Sequence, residues 1–116
     1  MLTPAAFRRL ALSFPEATEE AHFDKASFRV RKKIFATWDA AAGRATLKLS
    51  AADQDIFHLA ARDSISPVPN SWGRQGWTDV TLSTVPAALL RAALAAAYRN
   101  VAPKGLAGAA PANDTL

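Results

Sequence analysis

The start of the chain has the apolar spacing of an amphipathic helix. Its apolar positions recur at the i, i+3, i+4, i+7 interval of one helix face: Phe7, Leu10, Ala11 and Phe14. Thr3 is a favourable N-cap, Pro4 suits the first helical position, and Pro15 cannot continue a helix. We therefore predict a first helix between Pro4 and Pro15.

The next part of the chain alternates between apolar and polar positions, which is the period of a β-strand. The alternation predicts a three-stranded meander over residues 26–31, 34–38 and 45–49, with a turn around Gly43. It also allows a short earlier strand over residues 20–23, after an acidic connector. In this pattern Phe28, Val30, Leu47 and Leu49 share one face of the sheet.

A second helix and a loop are predicted in the middle of the chain. Ser50 is an N-cap candidate, and the apolar stripe of the helix that follows it comprises Ala52, Ile56, Leu59 and Ala60. Residues 63–76 are rich in proline and glycine and predict a loop. Residues 77–82 alternate again and predict a further strand.

The longest helix is predicted near the C-terminus. Ser83 or Thr84 caps it, and Pro103 ends it. Its apolar stripe comprises Leu90, Leu94, Ala97, Tyr98 and Val101. We expect a single domain over residues 1–103 and a flexible tail over residues 104–116.

This order of elements predicts an α+β fold, a two-layer sandwich of an antiparallel sheet with helices on one face. The other face of such a sheet can lie in solvent. With the apolar strand positions facing the helices, the solvent face receives Arg29, Arg31, Thr46 and Lys48. Strand 34–38 must add either Phe35, or Ile34, Ala36 and Trp38 together. A basic open face that contains an aromatic side chain follows, provided that the register holds.

The charge of the chain is concentrated where this face is predicted. The formal net charge is +4, from 14 basic and 10 acidic residues. Residues 25–48 alone carry a net +6, residues 1–24 carry −2, and the remainder is balanced. A concentration of this kind is typical of a surface that binds a polyanion, and it is also compatible with a solvated hairpin that only confers solubility.

Composition excludes several classes of site. The chain has no cysteine and two histidines, so thiolate catalysis, disulfides and Cys-ligated zinc are excluded. It contains neither a nucleophile elbow nor a phosphate-binding glycine-rich loop. Arg8 and Arg9 interrupt the first apolar stretch, so the N-terminal residues do not have the pattern of a signal peptide. No apolar run approaches the roughly 20 residues of a membrane helix. We expect a cytoplasmic protein that is not an enzyme, with no cofactor, no metal and no membrane partner.

Several short motifs resemble the MmcQ/YjbR family of small bacterial proteins. They are Phe14-Pro15, Glu20-Ala21-His22-Phe23, Phe28-Arg29-Val30, Lys33-Ile34-Phe35-Ala36-Thr37, Leu47-Lys48-Leu49, Trp72-Gly73-Arg74-Gln75-Gly76-Trp77-Thr78-Asp79-Val80 and Val101-Ala102-Pro103-Lys104. The resemblance covers residues 2 to about 106 and implies a frataxin-like fold. It also implies DNA binding through a "double wing" arrangement, a label that rests on fold comparison. The chain departs from the family where the usual glycine after Phe14-Pro15 is Glu16, and where the usual basic pair after Ala102-Pro103 is Lys104-Gly105.

The leading functional hypothesis is therefore electrostatic binding of nucleic acid, with duplex DNA as the expected partner. The candidate phosphate contacts are Arg29, Arg31, Lys32, Lys33, Lys48 and Arg74. The candidate stacking or ligand contacts are Trp72, Trp77 and Phe35, although tryptophans beside glycines are more often packing residues, and Trp77 is the better core candidate.

Two other classes of function remain open. One is a protein-interaction or small-ligand module that uses the Trp72–Trp77 loop. The other is metal handling of the frataxin kind, which would use acidic residues around one histidine: Glu19, Glu20, His22 and Asp24. One imidazole is weak support for a metal site.

Overall fold

The computed structural model describes residues 2–108 and has a six-stranded sheet at its centre. All neighbouring strands are antiparallel, in the order β1-β2-β3-β4-β6-β5. The elements are α1 Pro4–Leu12, β1 Ala17–His22, β2 Lys25–Val30, β3 Lys33–Asp39, β4 Arg44–Lys48, α2 Ala51–Ala60, β5 Ile65–Pro67, α3 Ser71–Arg74, β6 Trp77–Thr81, α4 Ala87–Val101 and α5 Lys104–Gly108.

The core lies between one face of this sheet and the helices. The long helix α4 packs across β3 and β4, and α1 covers the β1 side. Phe28 and Leu47 of the sheet are buried there with Leu90 and Leu94 of α4. The predicted α+β fold with helices on one face is confirmed, and so is the predicted apolar stripe at the centre of the last helix.

The first two helices begin where the sequence predicts. The Thr3 hydroxyl accepts a hydrogen bond from the Ala6 N–H at 3.1 Å, and the Ser50 hydroxyl accepts one from the Asp53 N–H at 3.1 Å. The last helix differs, because α4 starts at Ala87 after Pro86, which has no side-chain capping bond. The predicted cap at Ser83 or Thr84 is wrong, since a turn separates these residues from the helix.

A β-bulge changes the predicted faces of β3. Phe28 pairs with Ala36 and Arg29 pairs with Ile34, so Phe35 is an extra residue between them. Phe35 consequently points to the helix side together with Ala36, and its ring lies edge-on to Tyr98 at 5.4 Å between centroids. Neither predicted arrangement of this strand is therefore correct.

Four elements lie where the sequence predicts no regular structure or a shorter element. Strand β1 takes in most of the acidic connector, and β5 and α3 form within the predicted loop over residues 63–76. The helix α5 occupies the first five residues of the expected tail, and its Leu106 packs against the core. The other residues of that tail, 109–116, lie outside the described part of the chain.

Helix α2 is rotated relative to its predicted orientation. Its buried residue is Gln54, with Phe57 half-buried beside it, whereas Ile56 and Leu59 are 59% and 62% exposed. The predicted stripe of Ala52, Ile56, Leu59 and Ala60 is thus on the solvent side. The Gln54 amide compensates for the lost apolar contact by hydrogen bonding within the interior.

The glycines at positions 76 and 43 provide a matched test of this architecture. Gly76 has φ +104, and a Cβ there would lie 2.0 Å from the Leu49 carbonyl oxygen, so Gly76→Ala should lower the free energy of unfolding by about 3 kcal/mol or more. Gly43 has φ +65 but open space around it, so Gly43→Ala should cost only about 1 kcal/mol. Urea denaturation measures the loss in both variants, and equal losses would contradict the close approach of Gly76 to Leu49.

Candidate nucleic-acid interface

The face of the sheet opposite the core is the open face, and its side chains form three rows. The middle row crosses all six strands at paired positions: Glu20, Ser27, Thr37, Thr46, Asp79 and Ser66. The row nearer the β2–β3 turn contains the pair Arg29 and Ile34 and the pair Lys48 and Trp77. The row nearer the β1–β2 turn contains His22, Lys25, Asp39, Arg44 and Thr81.

The open face carries charges of both signs, contrary to the expected basic surface. Its basic residues are Lys25, Arg29, Arg44 and Lys48, and its acidic residues are Glu20, Asp39 and Asp79. The Arg44 Nε lies 3.8 Å from Asp79 Oδ1, which also accepts a hydrogen bond from the Thr46 hydroxyl at 2.9 Å. Arg31 is absent from this face because it lies in the β2–β3 turn. The face as a whole is therefore not a uniform polyanion surface.

The six predicted phosphate-contact residues instead gather at one end of the sheet. In an antiparallel sheet, the end of β2, the start of β3, the end of β4 and the start of β6 meet at one edge. This end, which we name the basic end, contains Arg29, Arg31, Lys32, Lys33, Lys48 and Arg74. The six residues predicted to contact phosphates can therefore form one contiguous surface. That surface is an end of the sheet and not its open face.

The β2–β3 turn holds two of these basic residues in a conformation that glycine favours. The turn has two central residues, Arg31 and Lys32, between the paired Val30 and Lys33. Their φ angles are +51° and +70°, the left-handed values of a type I′ hairpin turn, where asparagine and glycine are preferred. Each non-glycine residue there costs about 1–2 kcal/mol. The turn therefore keeps its two charged side chains at the expense of stability.

An ion pair anchors one side of the turn. Arg31 donates from Nε and Nη2 to the two carboxylate oxygens of Glu16 at 2.6 and 3.0 Å. These hydrogen bonds hold the pKa of the Glu16 carboxyl below its usual value. Glu16 itself has φ +60, which explains physically why glycine is usual at this position in the resembling family. Arg31 is thus partly neutralised, whereas Lys32 and Lys33 are exposed.

Lys48 connects the basic end to the tryptophan segment. Its Nζ donates a hydrogen bond to the Gln75 carbonyl and lies 5.3 Å from the centroid of the Trp77 ring. The carbonyl of Lys48 accepts from the Asn100 side chain at 3.1 Å, so the C-terminal turn of α4 reaches the same end of the sheet. Arg99 in that turn is exposed, and neither the helix periodicity nor a sequence motif predicts its place near the basic end.

A cavity of about 530 Å³ occupies the open face beside the basic end. Its floor includes Thr37 and Thr46 of the middle row, and its wall is the segment that carries Val68, Pro69 and Trp72. Trp77 also lines it. The cavity extends along the face as far as His22 and Lys25 beside the β1–β2 turn.

The wall of the cavity is fixed by a glycine and by Gln54. A Cβ at position 73 would lie 1.9 Å from the Val68 carbonyl oxygen, so only glycine lets α3 pack against this strand end. Gln54 Nε2 lies 2.9 Å from the Gly73 carbonyl oxygen and 3.0 Å from the Thr78 hydroxyl. These contacts position Trp72 over the open face.

The three aromatic residues predicted as stacking or ligand contacts lie in different environments in the structure. Phe35 is wrong as a ligand contact, because the bulge buries it completely in the core. Trp77 is wrong as a core residue, because it pairs with Lys48 on the open face. Trp72 is 56% exposed. Phe23, which no sequence pattern marks as a contact residue, is 94% exposed at φ +59 in the β1–β2 turn.

The acidic residues around His22 do not assemble into a metal site. Glu19 forms an ion pair with Arg8, while Glu20 and His22 lie on the open face. Within residues 2–108, no group of three or more histidine or carboxylate side chains is close enough to hold a metal ion. The predicted group is incomplete because β1 ends at His22, which leaves Asp24 in the β1–β2 turn, and because Glu19 points to the opposite face from Glu20.

Comparisons with known proteins agree with this fold. The family model described as YjbR matches residues 12–100. The chain is also similar to protein DR2400 of Deinococcus radiodurans, a DUF419 domain, whose crystal structure superposes with a TM-score of 0.77 at 28% identity over 90% of this chain and 82% of that one. No curated protein matches the chain significantly. Among the described residues, no helix is long and apolar enough to cross a membrane.

The strain in the β2–β3 turn can be measured with two single glycine variants. Lys32→Gly should raise the free energy of unfolding by about 0.5–1 kcal/mol, because glycine adopts a positive φ without steric cost. Lys33→Gly removes the same charge from an extended strand position and should lower the free energy of unfolding by about 0.5–1 kcal/mol. Thermal and urea denaturation provide the comparison; destabilisation by both variants would contradict a strained turn at Lys32.

Proposed function

The chain belongs to the YjbR family, and from that premise we propose that it is a non-enzymatic protein that binds nucleic acid through the basic end of its sheet. The basic side chains would neutralise phosphates and release the counterions condensed on them. This mode of binding depends on the backbone and not on the base sequence. Duplex DNA is the partner that the family resemblance implies.

The observation that carries the proposal is the occupancy of the β2–β3 turn. A type I′ turn is most stable with asparagine and glycine, yet this one has Arg31 and Lys32, followed by Lys33. Residues that lower stability without a packing gain are more common at functional positions than elsewhere. A hairpin turn with two basic residues and a third at the start of the next strand is suited to lie along a phosphate backbone.

Arg74 and Lys48 support a second point of contact beside the turn. Arg74 is exposed in α3, and Lys48 is held next to α3 by its hydrogen bond to Gln75. The turn and α3 would then contact the backbone at two places, which corresponds to the two "wings" that the family label describes. The acidic residues of the middle row would keep the rest of the open face away from phosphates.

One observation favours a second candidate function. Trp72 and Trp77 line the same cavity, and a cavity with such a lining suits a small ligand as well as it suits a peptide side chain. A protein or small-ligand module of this kind would need neither Lys32 nor Lys33. Its ligand binding should survive Lys32→Gln/Lys33→Gln and be lost in Trp72→Ala, the reverse of the pattern expected for phosphate contacts.

Binding to a fluorescein-labelled duplex tests the proposal by anisotropy. Affinity should fall by about 10²- to 10³-fold between about 50 and 200 mM salt, as expected for four to six phosphate contacts. The double variant Lys32→Gln/Lys33→Gln should weaken binding at low salt and reduce the slope of log Kd against log salt by about 2.

The matched control is Arg62→Gln/Arg91→Gln, which removes the same charge from exposed positions outside the basic end. It should leave the salt slope unchanged. Equal weakening by the two double variants would mean that net charge alone drives binding. No binding at low salt would overturn the proposal.

A further inference from the structure

We infer that the open-face cavity accepts one unpaired nucleotide base of a single strand whose phosphates lie on the basic end. The inference rests on the proposed function and adds a class of ligand to it. It derives from the aromatic wall of the cavity, the polar groups on its floor, and its continuity with Lys48.

Two indoles give the cavity the flat apolar surfaces that a base needs. Trp72 is 56% exposed although it is a large apolar side chain, and Trp77 is half-buried on a face whose other residues are mostly polar. Both line the cavity, with Val68 and Pro69 beside them. An aromatic side chain can stack on any base, since every base presents a π-face.

The floor of the cavity offers hydrogen-bonding groups for the edge of a base. Thr37, Thr46 and Asp79 occupy adjacent paired positions of the middle row and all line the cavity. Thr46 and Arg44 both contact Oδ1 of Asp79, so the second carboxylate oxygen is available to an exocyclic amino group or ring N–H. These groups combine with the indoles in the way that base-binding sheets combine stacking with edge contacts.

The cavity borders the basic end at the Trp77 ring. Trp77 belongs to the cavity, while Lys48 belongs to the basic end and lies over the Trp77 ring at 5.3 Å. A base stacked at Trp77 would therefore leave its phosphate near Lys48. The cavity lining carries both signs of charge, with Lys25 and Arg44 beside Asp39 and Asp79, whereas the six named side chains of the basic end are all positive.

An intact duplex cannot use this cavity. Its bases are stacked and paired, and insertion of one base would require it to leave the helix, which costs a few kcal/mol. The volume of about 530 Å³ accommodates a single base and not a base pair with its neighbours. The basic end would bind both kinds of strand, whereas the cavity would add affinity for single strands only.

Anisotropy titrations with a single-stranded oligonucleotide and a duplex of equal length, at one low salt concentration, test the inference with the full chain. Trp72→Ala should weaken single-strand binding by about 5- to 150-fold and leave duplex binding unchanged within about two-fold. The control is Leu59→Ala, which removes an equally exposed apolar side chain from α2 and should change neither.

The outcomes separate the inference from the function beneath it. Binding of duplex but not of single strands, or equal effects of Trp72→Ala on both, would overturn the inference and leave the basic end intact. Binding of neither by the wild-type protein would overturn both. A free mononucleotide that displaces the oligonucleotide and binds with the same affinity would also overturn the inference. The phosphates at the basic end would then contribute nothing to binding.

Tryptophan fluorescence gives a second, independent readout. Binding of the single strand should quench the tryptophan fluorescence of the protein, and this quenching should disappear in Trp72→Phe/Trp77→Phe. It should persist in Trp38→Phe, because Trp38 packs against Phe7 on the helix side. Circular dichroism establishes that the variants are folded. Quenching that survives the double substitution would place the bound strand elsewhere and contradict the inference.

Discussion

The candidate site depends on the hydrogen bonds of one buried amide. Gln54 of α2 lies with its Nε2 within 3.3 Å of the Gly73 carbonyl, the Trp77 carbonyl and the Thr78 hydroxyl. These contacts hold the segment that carries both cavity tryptophans against the sheet. A buried polar group that lost such partners would cost about 1–3 kcal/mol, so α2 turns Gln54 inward and leaves Ile56 and Leu59 in solvent. The orientation of one helix and the wall of the cavity thus have the same cause.

The bulge at Phe35 has a comparable effect on the sheet. By pointing Phe35 and Ala36 to the same side, it completes the aromatic cluster with Phe14 and Tyr98 and leaves Ile34 and Thr37 to the open face. Burial raises the pKa of the Tyr98 hydroxyl, which donates a hydrogen bond to the Pro15 carbonyl at 2.6 Å. That contact joins α4 to the residue before Glu16. The core therefore supports the ion pair that anchors the basic turn.

The sequence was sufficient for the fold class, the helix caps at Thr3 and Ser50, and the buried stripe of α4, because each depends on local spacing. It was insufficient for β5 and α3, which form through pairing with β6 and through the close approach of Gly73 to Val68. It also misplaced α2 and Phe35, since a buried amide network and a bulge break the simple periods. The basic residues were predictable from charge, but their meeting at one end of the sheet required the strand order. The cavity was not predictable from the sequence, because it depends on which side chains lie together on the open face.

The central claim is that the basic end of the sheet is where nucleic acid binds. Amide chemical-shift mapping of the full chain during titration with an oligonucleotide tests it most directly. Nucleic acid bound there should give the largest shifts at residues 29–33 and 72–77 and leave the exposed residues of α2, Ile56 and Leu59, unchanged. Shifts concentrated around the exposed Ile56 and Leu59, with the β2–β3 turn unaffected, would contradict it.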